Sequence, residues 1–189
     1  MAGQRNQFRI IGGQWRGRKL GFFPAPALRP TPERVRETLF NWLAQVIQGA
    51  RVLDLFAGSG ALGFEAASRG AARVTLVDSH PRVVSQLQQN VRLLQATQMA
   101  VYQSEVLRYL QRPGEACEVV FLDPPYQSAV LEACFNQLEA GGWLTTDAWI
   151  YFEHDSHGPA PSLPANWQLQ RDKQAGQVAY LLARRLQPA

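Results

Sequence analysis

The sequence predicts an α/β fold: a mostly parallel sheet with helices on both faces, preceded by a small β-hairpin. Three observations carry this. From residue 51 onward, short apolar runs alternate with longer amphipathic segments, the order that builds βαβ units and a parallel sheet. A glycine-rich stretch directly follows the first of those runs, as at a strand-to-helix ligand loop. Near the N-terminus, aromatic and aliphatic residues instead alternate with polar and basic ones around Gly12-Gly13, the pattern of a hairpin.

Each element follows from its own residues. Phe8 and Ile10, then Trp15, Leu20 and Phe22, set the alternation of the hairpin. Thr31 is expected to cap the next helix with Pro32 at its first position. Val35, Leu39, Trp42, Leu43 and Val46 then repeat at helical spacing up to Gly49. Strands are expected at 51–56, 73–77, 100–103, 118–122 and 148–153, with helices at 60–69, 81–95, 105–111 and 128–139. The tail, from Trp167 to Lys173 and from Gln177 to Arg184, reads as a closing hairpin turning near Ala175-Gly176. His157 to Pro164 holds three prolines and reads as a surface loop.

Composition bounds the function. At 189 residues the chain is long enough for one well-cored domain. Its natural division is a basic hairpin extension over residues 1–30 and an α/β body over 31–189. A hydrophobic fraction of 46% with 18% charged residues places it among folded globular proteins rather than disordered chains. No apolar stretch reaches spanning length, and Met1 to Gln7 is polar. The expectation is a cytoplasmic protein without membrane contact. Cys117 and Cys134 stand alone and read as reduced core thiols. His154 and His157 flank Asp155, but no further ligands accompany them. They read as a surface loop, and no metal is expected. His80, before Pro81, reads as a helix cap, and Glu153, closing its strand, faces either the rim of the site or the surface.

Charge is informative by position. Residues 1–36 carry eight Lys/Arg against the single acid Glu33, whereas the whole chain nets only +4. The remainder is therefore net acidic. A basic arm on such a body suits contact with nucleic-acid phosphates, and Arg9, Arg16, Arg18, Lys19 and Arg34 are the candidate contacts. Trp15 is the tryptophan expected to meet the nucleic acid.

Two motifs carry the chemistry. After the strand ending at Phe56, Gly58, Gly60 and Gly63 fit the G-x-G-x-x-G spacing, and the next strand ends in Asp78. Glycines let the backbone approach a ligand at a helix N-terminus, and the acid stands where a ribose diol can be bound. This points to an adenosine-type cofactor and leaves NAD and S-adenosylmethionine both open. Asp123-Pro124-Pro125-Tyr126 follows the apolar run Val119 to Leu122. The prolines remove N–H donors, leaving the Asp carboxylate and backbone carbonyls as acceptors beside an aromatic ring. Such a site suits a planar substrate with an exocyclic amino group. Hydride transfer has no use for it, so S-adenosyl-L-methionine is favoured.

The segment Asp54 to Gly60 (Asp-Leu-Phe-Ala-Gly-Ser-Gly) resembles motif I of the class I S-adenosylmethionine methyltransferases, and Asp123 to Tyr126 resembles their amino-group motif IV. Arg9 to Gly13, Arg16 to Leu20, Arg29 to Glu37 and Phe40-Asn41 resemble the bacterial 16S rRNA (guanine(966)-N2)-methyltransferases, the RsmD family, over about Arg9 to Leu182. This resemblance implies a Rossmann-like, seven-stranded class I fold. Asp123, Pro124 and Tyr126 would form the catalytic set. Asp54, Phe56, Ala57, Gly58, Gly60, Asp78, Glu105, Val106 and Thr31 would hold the cofactor, with Gly58–Gly60 at its methionine part, Asp78 on the ribose and Glu105-Val106 beside the adenine. Many relatives carry an Asp where this chain has Ser104-Glu105. Arg36 would close over the cofactor with Arg29-Pro30-Thr31. The implied partner is 16S rRNA within the small ribosomal subunit, bound by a monomer. The rivals are a DNA adenine-N6 methylase, a protein-glutamine methylase, a noncatalytic RNA-binding assembly factor and, weakest, a nicotinamide oxidoreductase.

Overall fold

The computed structural model describes residues 6–24, 30–125 and 130–187. Its elements are β1 (Gln7–Arg9), β2 (Lys19–Gly21), α1 (Glu33–Trp42), β3 (Arg51–Asp54), α2 (Ala61–Ser68), β4 (Arg73–Asp78), α3 (Pro81–Leu94), β5 (Met99–Gln103), α4 (Val106–Leu110), β6 (Cys117–Leu122), α5 (Val130–Ala140), β7 (Leu144–Asp155), β8 (Trp167–Ala175) and β9 (Val178–Arg185). Seven strands form one sheet in the order β5-β4-β3-β6-β7-β9-β8, and β1 and β2 form a separate antiparallel pair. β3 to β7 are parallel, while β9 runs antiparallel to both β7 and β8.

The strand order turns around between β3 and β6. β3 leads outward through β4 to β5 on one side and pairs with β6 on the other. Connections leaving the two strands in opposite directions open a crevice at their carboxyl ends, where α/β sheets bind ligands. Asp54 closes β3 and Asp123 follows β6, so the topology puts both motifs at this crevice.

The central strands β3, β4 and β6 are largely apolar on both faces because helices cover both. One face packs on α1, α2, α3 and the hairpin, with Phe8, Leu39, Phe40, Phe64 and Phe121 at its centre. The other packs on α4 and α5 through residues such as Val120, Phe135, Leu138 and Phe152. Phe8, Ile10 and Leu20 are buried, so the hairpin's apolar alternation is core packing.

Four boundaries differ from the sequence expectation. Thr31 does not cap α1. Pro32 stands at the boundary with extended backbone (φ −54°, ψ 145°), no side chain caps the helix, and the Pro32 carbonyl accepts the first helical bond, from the Arg36 amide at 3.0 Å, so the helix starts at Glu33. The Thr31 carbonyl instead accepts from Arg36 Nε at 3.0 Å. α1 ends at Trp42, and the apolar spacing beyond it continues through turns to Gly49, at φ +77°. β7 begins at Leu144, opposite Cys117, and the register shifts before Trp149 meets Val119; a strand with an irregularity breaks the period-2 pattern. Gly12-Gly13 does not form a tight turn. β1 and β2 are joined by the longer segment from Ile10 to Arg18, which folds onto the end of α2: the Gln14 amide donates to the Ser68 carbonyl at 2.8 Å, and the Trp15 amide to Ser68 Oγ at 2.9 Å. Gly13 has φ +77°, and a Cβ there would run into the Ser68 backbone. Gly13 is thus required by docking.

Candidate active site at the carboxyl ends of the strands

The glycine loop is held from both flanks. Asp54 is almost fully buried beneath it, and its carboxylate accepts the Gly63 amide at 3.1 Å. Burial first, then the nearby Asp78, push this carboxyl up to about 7, opposed by the Gly63 and Phe56 amides. Asp54 is therefore the tether between the loop and α2. The Ala57 amide donates to the Val77 carbonyl at 3.0 Å, and the Gly58 amide to Asp78 Oδ2 at 3.0 Å. These bonds lock the loop to the end of β4. Phe56 is half-buried and Ala57 buried along the same turn.

Gly58 (φ +50°) and Gly60 (φ +80°) take left-handed backbone. A Cβ on Gly60 would sit 2.6 Å from Leu87 Cδ2 and 2.7 Å from the Phe64 ring, so the loop depends on glycine there. Asp78 is half-buried, and its other oxygen accepts the His80 amide at 2.8 Å. His80 Nδ1 accepts the Arg82 amide at 3.2 Å, capping α3 as expected. Phe23 stacks on the His80 ring at 5.3 Å, so the segment after β2 reaches the same rim. Ser104 donates its amide to the Asp78 carbonyl at 3.0 Å, Glu105 is exposed at the start of α4, and Val106 is buried behind it. These residues fit an adenosyl cofactor. The left-handed glycines clear the backbone for close approach, and each Asp78 oxygen, already holding one amide, keeps a further lone pair for a ribose hydroxyl.

Asp123 and Pro124 emerge from β6, half-buried at the crevice. Tyr126 lies outside the described residues. Burial, then the carboxylates of Glu153 and Asp54, push Asp123 well above the usual carboxylate range. Glu153 is buried at the same rim and accepts the Tyr151 hydroxyl at 2.6 Å. Burial raises Glu153 too, opposed by that hydroxyl. Among the described residues, no set of three His, Cys, Asp or Glu side chains is gathered as for a metal ion.

Thr31 and Arg36 lie at the start of α1. Thr31 is buried beside a groove of about 350 Å³ between the hairpin and the start of α1, with Arg9 and Lys19 on its opposite wall. Arg36, 1% exposed, donates to the carbonyls of Thr31 and Arg9 at 3.0 Å each and lies 3.4 Å from Glu65 Oε2. Its guanidinium is enclosed in the protein, so it is no lid over a cofactor. Glu65, wholly buried in α2, also accepts the Ile11 and Gly12 amides at 2.8 Å each and pairs with Arg69 at 2.7 Å. Sequence reading missed this node, since a Glu on an otherwise apolar helix was its only local signal. Arg9, Arg16, Arg18, Lys19 and Arg34 are all exposed, and none forms an ion pair among the described residues.

The seven-stranded order, the glycine loop bonded to Asp78, and Asp123 one strand away define a class I methyltransferase fold. The chain belongs to the RsmD family: the family model described as conserved hypothetical protein 95 matches residues 8–184. It is 52% identical over 179 residues to ribosomal RNA small subunit methyltransferase D of Escherichia coli K12, covering 95% of this chain and 90% of that one. It is 42% identical over 182 residues to the protein of the same name from Haemophilus influenzae, covering 94% of each. The solved structure of yhhF from Escherichia coli superposes with a TM-score of 0.88 at 52% identity, covering 96% of this chain and 99% of that one.

Proposed function

We propose that the protein transfers a methyl group from S-adenosyl-L-methionine to the exocyclic N2 of a guanine in 16S rRNA, presented within the small ribosomal subunit. The observation that carries the reaction class is the placement of Asp123, at the strand crossover, one strand from the glycine loop. The relatives' names support the substrate class. S-adenosylmethionine, when bound, supplies an electrophilic sulfonium methyl. Asp54 and Asp78 keep the loop in the shape that receives it, the former through Gly63 and the latter through Gly58.

The amine of guanine is a poor nucleophile because its lone pair is delocalised into the ring. Asp123 and the Pro124 carbonyl, accepting its two N–H bonds, turn that lone pair toward the methyl group and stabilise the charge that develops on nitrogen. Tyr126 stacks on the base once it leaves its helix or loop. The exposed cations of the hairpin, with Arg34 on α1, hold the surrounding phosphates.

The test is transfer of labelled methyl to small subunits lacking the modification, to naked 16S rRNA and to duplex DNA, followed by mapping of the labelled nucleotide. Label on one guanine N2 is the expected result. Label on adenine in DNA keeps the amine chemistry and overturns the substrate. Asp123→Asn should lower kcat by at least about 100-fold with cofactor affinity retained, and near-normal transfer would refute its role.

A further inference from the structure

Two strand ends meet at the crevice, and only one of them belongs to the motif. β6 and β7 are parallel and in register, with Phe121 opposite Tyr151 and Leu122 opposite Phe152. Continued one residue past the end of β6, that register brings Asp123 beside Glu153, near enough for the two carboxylates to interact. Strand alternation puts both acids on the face that carries Phe121 and Tyr151, the face on which Asp54 also ends β3. Glu153 is 8% exposed, and its partner across β9 is Tyr180. Tyr151 is itself fixed, edge-on to Phe121 at 6.2 Å, and its hydroxyl donates to Glu153 Oε1. The groups facing Glu153 are thus Asp123 from β6, Tyr151 from β7 and Tyr180 from β9, while Asp54 from β3 acts on Asp123 from its other side. Among the described residues, no Lys, Arg or His forms an ion pair with it.

A buried acid in a crevice without a cation is costly unless something uses it. We propose that Glu153 is a positioning residue of the transfer reaction: held by Tyr151 beside Asp123, it makes the Asp123 carboxylate the acceptor of the proton that the methylated amine sheds. In the step, the nitrogen lone pair forms the N–CH3 bond, and the S–CH3 bond breaks with its electron pair going to sulfur. One N–H proton then passes to an Asp123 oxygen, which releases it to solvent. A negative neighbour raises the proton affinity of a carboxylate. The burial that raises Asp123 and the Glu153 charge act in the same direction. The inference rests on Asp123 being the amine acceptor, but its test does not require turnover.

The experiment follows the Asp123 carboxyl carbon by NMR titration of the free enzyme, for the wild-type chain, Glu153→Gln and Tyr151→Phe. Removing the neighbouring charge should lower the Asp123 midpoint by about one unit or more. Tyr151→Phe should move it in the same direction by less, because Glu153 without its donor takes the shared proton first. The acid limb of the kcat profile should follow the Glu153→Gln shift, with cofactor affinity unchanged. A midpoint within about 0.3 unit of wild type in Glu153→Gln, or an upward shift in Tyr151→Phe, overturns the inference. An active Asp123→Asn enzyme overturns the amine-acceptor reading instead, and the titration separates the two.

Discussion

Glu65→Gln should cut the hairpin loose from the body of the protein. The carboxylate is wholly buried and accepts two backbone amides, Ile11 and Gly12, while facing Arg36 and Arg69. Glutamine keeps one acceptor oxygen but turns an NH2 group toward the second amide or toward a guanidinium. Arg69 is 21% exposed and can turn to solvent, whereas Arg36 is 1% exposed and cannot. It would retain the Thr31 and Arg9 carbonyls and lose its counter-charge. Breaking a buried pair from one side costs about 3–5 kcal/mol, with Arg36's two remaining carbonyl acceptors favouring the lower end. For a chain of this size, that is a fall in Tm of roughly 10 °C.

Urea unfolding at constant slope measures this loss. Amide exchange at Ile11 and Gly12 should accelerate more than exchange in β3 or β6. Adding Arg36→Met should recover part of the loss, with a coupling of about 1–3 kcal/mol. A Glu65→Gln loss under about 1 kcal/mol, or strict additivity with Arg36→Met, would refute the account of a buried charge node.

Three further outcomes are expected. Gly60→Ala, forcing a side chain into left-handed backbone against Leu87 and Phe64, should destabilise the fold by about 1–3 kcal/mol and weaken cofactor binding, measured by calorimetry; unchanged affinity would count against the loop as cradle. Replacing Arg16, Arg18 and Lys19 together with Gln should reduce the salt slope of RNA binding by about two and leave cofactor affinity intact; an unaltered slope would remove the hairpin from the phosphate contact. Cys117 and Cys134 are buried, and burial pushes both thiols up to about 12, so thiol reagents at pH 8 should label neither in the folded protein and both after unfolding, as read by mass spectrometry.

The alternation of apolar runs was enough to place β3 through β6 and α2 through α4 within a few residues, because each is a local pattern completed by burial on both faces. The glycine spacing and Asp78 were equally legible, since a strand, a tight loop and a helix N-terminus lie consecutively in the chain, and the Gly58–Asp78 bond closes them at 3.0 Å. The basic character of the hairpin was also a property of sequence alone, whereas the exposure of Arg16, Arg18 and Lys19 follows from the folded connection between β1 and β2. What sequence could not show was which distant acids and cations meet. Arg36 read as a lid and proved to be a buried staple, because its partner Glu65 lies 29 residues on. Glu153 could equally have faced solvent until the register of β7 on β6 set it level with Asp123. Local pattern determines which elements form and which face they bury, whereas the pairing of buried charges depends on strand order and register, which exist only once the sheet has assembled.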